Sequence, residues 1–302
     1  MPSPERNVLM QLSSIFPEIG GACAELNAKL SSGGQSETWL FKQLSAVIEQ
    51  RKAAMQEFEG NNDALQLLLN PRQSSSLNPE SQRRNSLTDR EIANNCFAFL
   101  LAGYETTSTA LAFSAWLLAK NSSKQSILQE EIDEHLGSQE REGWYEKVMK
   151  LPYLDAVFHE ALRMYPPITF FVNRTCVRAC EIDGVKFEPG VQVSVPIWTI
   201  HHDPEVWPEP EKFKPERFYK NKDYHPMAWL PFGAGPRNCV GMRFGEMQFK
   251  MALARLMSRF SLELGPESQD PLPVRNPTAM LNTDRVVLKV SERKIDVNQN
   301  YF

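Results

Sequence analysis

This sequence predicts a mainly helical fold with small β-sheets, of the α+β class, on three observations. Thr88 followed by Glu91 makes a capping box, after which helix-compatible residues run to about Lys120. Such a helix, at about 1.5 Å rise per residue, would span roughly 46 Å and cross a whole domain. Two more helices are written at Tyr153 to Tyr165 and, with helical periodicity, at Met242 to Leu253. The β signals, by contrast, are short. Asp183-Gly184 reads as a turn, Val191, Val193 and Val195 alternate along a strand, and Val286 to Val290 reads as a final strand.

The remaining segments fall around these. Leu40, Leu44, Val47, Ile48, Met55 and Phe58 mark roughly one face of a helix over residues 38–58, a pattern that suits core packing or a membrane-facing surface equally. Pro71 to Pro79 is a solvated loop. It ends at Arg83-Arg84-Asn85-Ser86, which has the form of a basic-directed kinase site and also the form of an ordinary solvated string. Pro166-Pro167 stops the Tyr153 helix, and residues 203–218, rich in Pro, Glu and aromatics, read as an irregular covering segment.

Composition removes several classes. The chain has 302 residues, 42% hydrophobic and 23% charged, enough apolar residues for a large core. A net charge of -4 offers no basic face for nucleic acid. There is no apolar run long enough for a membrane span and no signal-peptide pattern at Met1. Cys23, Cys96, Cys176, Cys180 and Cys239 are an odd, scattered set that fits a reducing compartment. A zinc site of Cys176, Cys180, His201 and His202 lacks the usual ligand spacing.

The strongest chemical signal is Phe232-Gly233-Ala234-Gly235-Pro236-Arg237-Asn238-Cys239-Val240-Gly241. A pattern Phe-x-x-Gly-x-x-x-Cys-x-Gly arises by chance in roughly one such chain in a thousand. Its glycines permit positive φ and a close approach to a flat ligand. Cys239, just ahead of the Met242 helix, would face the positive end of a helix dipole, which favours a thiolate. Arg237 adds a cation beside it, so the loop reads as a haem-thiolate loop rather than as a buried free cysteine. Midway along the Thr88 helix, Ala102-Gly103-Tyr104-Glu105-Thr106-Thr107 is locally poor helix former. Close packing of another helix explains it, and so does clearance at Ala102 and Gly103 for a flat cofactor with Glu105 and Thr106 handling protons. Glu160 and Arg163 share a helix face at i and i+3, but Glu80 and Arg83 repeat that spacing in the loop, so the pair alone says little.

Taken in order, Ala-Gly-x-Glu-Thr-Thr, Glu-x-x-Arg, Pro-Glu-Arg-Phe (Pro215 to Phe218) and the Cys239 loop resemble the cytochrome P-450 superfamily of haem-thiolate monooxygenases. The connecting text looks most like animal microsomal members of the drug- and steroid-oxidising clan that includes thromboxane synthase. The resemblance implies haem b as cofactor, Cys239 as proximal iron ligand, Phe232 packed beside its sulfur, and Arg237 and Arg174 on the propionates. It implies Thr106 and Glu105 in proton delivery, Ala102 and Gly103 lining the haem, and Glu160, Arg163 and Arg217 in a buried structural ion network. Phe99, Ile168, Thr169, Phe170, Phe171, Ala279 and Met280 would meet a lipophilic substrate of drug, steroid or fatty-acid type. Dioxygen, an NADPH-dependent flavin reductase and the cytosolic face of the endoplasmic reticulum membrane come with the same resemblance. Lys212, Lys214, Lys220 and Lys222 suit an acidic partner or a plainly solvated loop.

On this reading residues 1–70 are helices roofing the substrate pocket, 71–87 a mobile Ser-rich loop, and 88–302 the haem-binding core of a single, incomplete domain. Compared with full-length microsomal members, the anchor, the β-rich start and one haem-contacting helix are missing at the front. Two other readings therefore stand beside the monooxygenase: a non-catalytic truncated isoform or incomplete gene model, and a haem-thiolate isomerase acting on a peroxide without external electrons. The intact Glu105-Thr106 pair favours the monooxygenase.

Overall fold

In the computed structural model, residues 32–54, 63–69, 87–136, 143–169, 171–220, 224–275 and 280–293 are described. The Ser-rich loop up to Ser86, Met55, Phe58, Phe170, Lys222 and Ala279 lie outside them, as does the side chain of Phe171. The chain divides into two compact units, Met1–Tyr104 and Glu105–Phe302.

The first unit holds helix α1 (Ser32–Ala53), helix α2 (Ala64–Leu69) and the front of helix α3 (Asp89–Lys120), which continues into the second. Ile48, Ile92 and Ala93 are its buried centre, with Phe41, Leu65, Leu68 and Cys96 packed around them and Phe41 stacked on Phe97 at 4.7 Å. The start of α3 is the capping box in the flesh. The Thr88 N–H donates to Glu91 Oε2 at 2.8 Å, and the Glu91 N–H donates back to Thr88 Oγ1 at 3.3 Å.

In the second unit α3 is followed by α4 (Ser122–Leu136), α5 (Trp144–Val148) and α6 (Pro152–Met164). Short strands come next: β1 (Phe171–Thr175), β2 (Cys180–Ile182), β3 (Val185–Phe187) and β4 (Gln192–Val195), then α7 (Ile197–His201). A covering segment with 3-10 turns leads to α8 (Met242–Arg259), β5 (Phe260–Glu263) and β6 (Lys289–Glu292). The strands form three antiparallel pairs, β1 with β4, β2 with β3 and β5 with β6, so the mainly helical α+β class holds. At the β2–β3 hairpin Asp183 and Gly184 take φ of 47° and 80°, the left-handed pair that a tight two-residue turn requires.

Helix α6 runs through the core, with Leu154, Val157, Phe158, Ala161 and Leu162 buried against α3, α4 and α8 residues such as Phe113, Leu117, Leu128, Ile132, Phe249 and Leu253. A helix buried nearly all round needs its end groups satisfied from outside. The Glu131 carboxylate of α4 does this, accepting the Tyr153 N–H at 2.7 Å and the Leu154 N–H at 2.9 Å. Buried Gln125 similarly ties α4 to β5, its Oε1 accepting the Leu262 N–H at 2.8 Å and its Nε2 donating to the Leu262 carbonyl at 2.8 Å.

Two boundaries move from the sequence reading. The proximal helix continues past Leu253 to Arg259. The last strand begins at Lys289, not Val286, because Ser268 Oγ donates to the Val287 carbonyl at 2.6 Å and ladder pairing starts only at Glu263↔Lys289.

Replacing Thr88 by Ala removes the oxygen that accepts the Glu91 N–H, and is expected to cost about 1 kcal/mol. Denaturant unfolding checks the cost, and hydrogen exchange should speed up at the first-turn amides of α3; unchanged exchange there would contradict the assignment.

Candidate active site

The cysteine loop is shaped by its backbone. Gly233 and Gly235 adopt φ of 69° and 78°, and the Cys239 N–H donates to the Phe232 carbonyl at 2.8 Å, closing the loop on itself. Gly241 then begins α8, close enough that a Cβ there would lie 3.9 Å from Cys239 Sγ. The half-exposed sulfur thus sits at the amino end of an 18-residue helix, where the unpaired N–H groups stabilise negative charge. The Phe232 ring packs 6.1 Å from Phe158 and 6.2 Å from Trp229 between ring centroids. Arg237 and Arg174 are exposed, the latter on β1 opposite Val193.

The covering segment that leads to the loop is held on α6 by a buried charge cluster. Glu160 and Arg163 are wholly buried and paired twice, Nε to Oε2 at 2.7 Å and Nη2 to Oε1 at 3.0 Å. Arg217 Nε reaches the same carboxylate at 3.3 Å and the Lys214 N–H donates to it at 2.9 Å. Burial raises the Glu160 carboxyl above its ordinary range against the opposing pull of Arg163; among the described residues four N–H donors converge on it, the arrangement that a carboxylate accepts. Arg163 also donates to the His201 carbonyl at 2.8 Å and the Pro210 carbonyl at 2.7 Å. Removing one partner from so dry a pair typically costs about 3–5 kcal/mol.

Sequence reasoning missed two further groups. Lys250, 2% exposed, lies on α8 between Asp155 at 2.8 Å and Glu246 at 2.6 Å, bolting α8 to α6 one turn before Glu160. His201 is the other. Its Nε2 accepts the Leu230 N–H at 2.8 Å and its Nδ1 donates to the Arg163 carbonyl at 3.2 Å, a tautomer assigned from those partners. With both ring nitrogens so used, His201 has none left for the zinc set considered above. Neither residue's long-range contact had a spacing signal: Asp155 lies on α6 away from Lys250, and Leu230 and Arg163 lie on elements away from His201.

The other candidate residues fall on both units. Phe99, Ala102 and Gly103 are exposed on the α3 stretch of the first unit, and a Cβ at Gly103 would meet nothing within 4 Å. In the second unit Glu105 is exposed and Thr106 half-buried. Ile168 and Met280 are brought together as an antiparallel bridge, sealed by the Leu281 N–H donating to the Pro167 carbonyl at 2.8 Å, with Thr169 buried beside them in sequence. Lys212 and Lys214 both pair with Glu209, whose carboxyl the two lysines pull down to about 2, so part of that patch's positive charge is cancelled. Among the described residues no group of three or more His, Cys, Asp or Glu side chains could hold a metal, and no helix is long and apolar enough to cross a membrane.

Such a site presents one soft sulfur donor on a glycine loop, which suits a metal that arrives with its other ligands already in a flat ring. Comparison with known proteins agrees with that class. The Cytochrome P450 family model matches residues 34–290, and the chain belongs to the cytochrome P450 family. It is 43% identical over 233 residues to Cytochrome P450 3A31 of Mesocricetus auratus, covering 76% of this chain and 45% of that relative. It is 40% identical over 232 residues to Cytochrome P450 3A5 of Homo sapiens, covering 76% and 45%, and 38% identical over 268 residues to Cytochrome P450 3A30 of Fundulus heteroclitus, covering 88% and 52%. The chain spans about half the length of the curated relatives it matches.

Burial first, and the Arg163 charge second, push the His201 pKa from 6.5 to about 3. The unfolded chain therefore binds a proton that the folded chain refuses. The neutral ring's contribution is complete above its unfolded pKa and is lost as pH falls toward the folded one, at about 1.4 kcal/mol per pH unit. Urea unfolding should show roughly 2 kcal/mol less stability from this group at about pH 5 than near neutrality. His201→Gln should flatten that part of the pH profile, and an identical slope in the variant would contradict the assignment.

Proposed function

We propose that the chain is the haem-binding portion of a monooxygenase that inserts one atom of dioxygen into a lipophilic small molecule of drug, steroid or fatty-acid type. The observation that carries this is the Cys239 loop, a lone sulfur held at a helix amino terminus by the Phe232 carbonyl. Haem b, when bound, would supply the redox chemistry of oxygen activation, with Cys239 as its thiolate ligand.

The protein's part is positioning and proton handling. Phe232 holds the loop through its carbonyl and packs its ring on Phe158, with the sulfur set at the amino end of the helix. Arg237 and Arg174 offer guanidinium groups to the propionates. In the second unit, Ile168, Thr169 and Met280 would be substrate contacts by the family resemblance. The Thr106 hydroxyl holds and donates a proton at the oxygen-binding side, and the exposed Glu105 carboxylate resupplies it from solvent. Glu160, Arg163 and Arg217 keep the covering segment in place and touch no reactant. Electrons would come from an NADPH-dependent flavin reductase, at the cytosolic face of the endoplasmic reticulum membrane. The family match and the relatives support this reading.

Purified protein loaded with haem, reduced and exposed to carbon monoxide should show the red-shifted Soret band that only a thiolate ligand gives, and Cys239→Ser should lose it. Thr106→Ala should keep the band while diverting reductase-supplied electrons from product to hydrogen peroxide. A wild-type spectrum without the thiolate band would overturn the proposal.

A further inference from the structure

We propose that Cys176 and Cys180 form a redox modification site, a thiol pair that closes reversibly into a disulfide across the exposed turn joining β1 to β2. Nothing in this requires haem or Cys239.

The turn is anchored at both ends by backbone. The Cys176 N–H donates to the Val191 carbonyl at 2.8 Å and its carbonyl accepts the Gly190 N–H at 2.8 Å. Cys180 opens β2 as the ladder partner of Phe187. The Cys176 sulfur lies 2.9 Å from the Arg178 carbonyl and 3.6 Å from the carbonyl of that same Phe187. Cys176 is thereby folded back over the ladder position that Cys180 faces, and its thiol is near enough to influence the Cys180 thiol. Both are free thiols, Cys176 half-buried and Cys180 exposed.

Closing the pair brings the two sulfurs to about 2.05 Å. The residues that would adjust are Val177, Arg178 and Ala179, all exposed, with Val177 at 81%. The anchoring bonds are made by the main chain and by neither sulfur, so both ladders survive the bridge.

The chemistry balances with a low-molecular-weight disulfide as oxidant. The thiolate of Cys180, the accessible one, attacks a sulfur of the reagent, breaking its S–S bond and expelling one thiolate. The Cys176 thiolate then attacks the Cys180 sulfur of the mixed disulfide and expels the second. Two electrons pass to the reagent, and the two thiol protons end on the two released thiols. An excess of reduced thiol reverses both steps. Partial loss of hydration, then the nearby Cys176 thiol, hold the Cys180 thiol above its ordinary pKa, so closure should accelerate as pH rises above neutral.

Arg178 makes the test direct. The whole purified chain is incubated with oxidised glutathione, remaining thiols are alkylated, and the protein is digested with trypsin without reduction. Cleavage after Arg174, Arg178 and Lys186 puts the two cysteines on separate peptides, Thr175–Arg178 and Ala179–Lys186. We expect these to travel as one species, two hydrogen atoms lighter than their sum, released by dithiothreitol and absent in Cys180→Ser. Alkylation of both cysteines, a persistent glutathione adduct on Cys180 with Cys176 alkylated, or a bridge from either to another cysteine would each overturn the proposal.

Discussion

A single buried carboxylate, Glu160, is the point on which the second unit depends. Two guanidinium groups and a backbone N–H converge on it, and they come from three places: Arg163 on its own helix, and Lys214 and Arg217 in the covering segment. Stripping water from these charges is expensive, and the cost is offset only because nearly every donor finds an acceptor. Arg163 extends the same net to the His201 and Pro210 carbonyls. A segment with little regular structure of its own is thereby given one position on α6.

The sulfur inherits that position through a short chain of contacts. His201, fixed by Arg163, accepts the Leu230 N–H. Next to it the Trp229 indole N–H donates to the His159 carbonyl of α6 at 3.0 Å. Phe232 stacks on Phe158, and its carbonyl takes the Cys239 N–H. On the other side of the loop, Lys250 pins α8 to Asp155. Two ion clusters on one helix thus bracket the loop fore and aft.

Local signals in the sequence were legible where the chain makes its bonds to near neighbours. Thr88 and Glu91 are three residues apart, Asp183-Gly184 is its own turn, and Pro166-Pro167 ends α6 by sterics alone, so each could be read directly. Glu160 and Arg163 had the right spacing but no distinction from Glu80 and Arg83; only the ordered motifs around them gave the pair meaning. What stayed illegible was non-local. Glu131 capping Tyr153, Gln125 bound to Leu262, Lys250 on Asp155 and the Ile168↔Met280 bridge join elements whose separation no spacing rule encodes. The last strand shifted by three residues for the same reason, since a side chain from Ser268 claims the Val287 carbonyl first.

If the loop's position derives from Glu160, loosening that carboxylate must be felt at the sulfur. Native-state hydrogen exchange in Glu160→Gln, which keeps the side chain's shape and removes its charge, tests this most directly. The amides of Lys214, Leu230 and Cys239 should all lose protection, by about tenfold or more, while the Leu262 amide, held by Gln125, keeps its own. Loss of protection at Lys214 alone, with Leu230 and Cys239 unchanged, would contradict the dependence of the cysteine loop on the buried cluster.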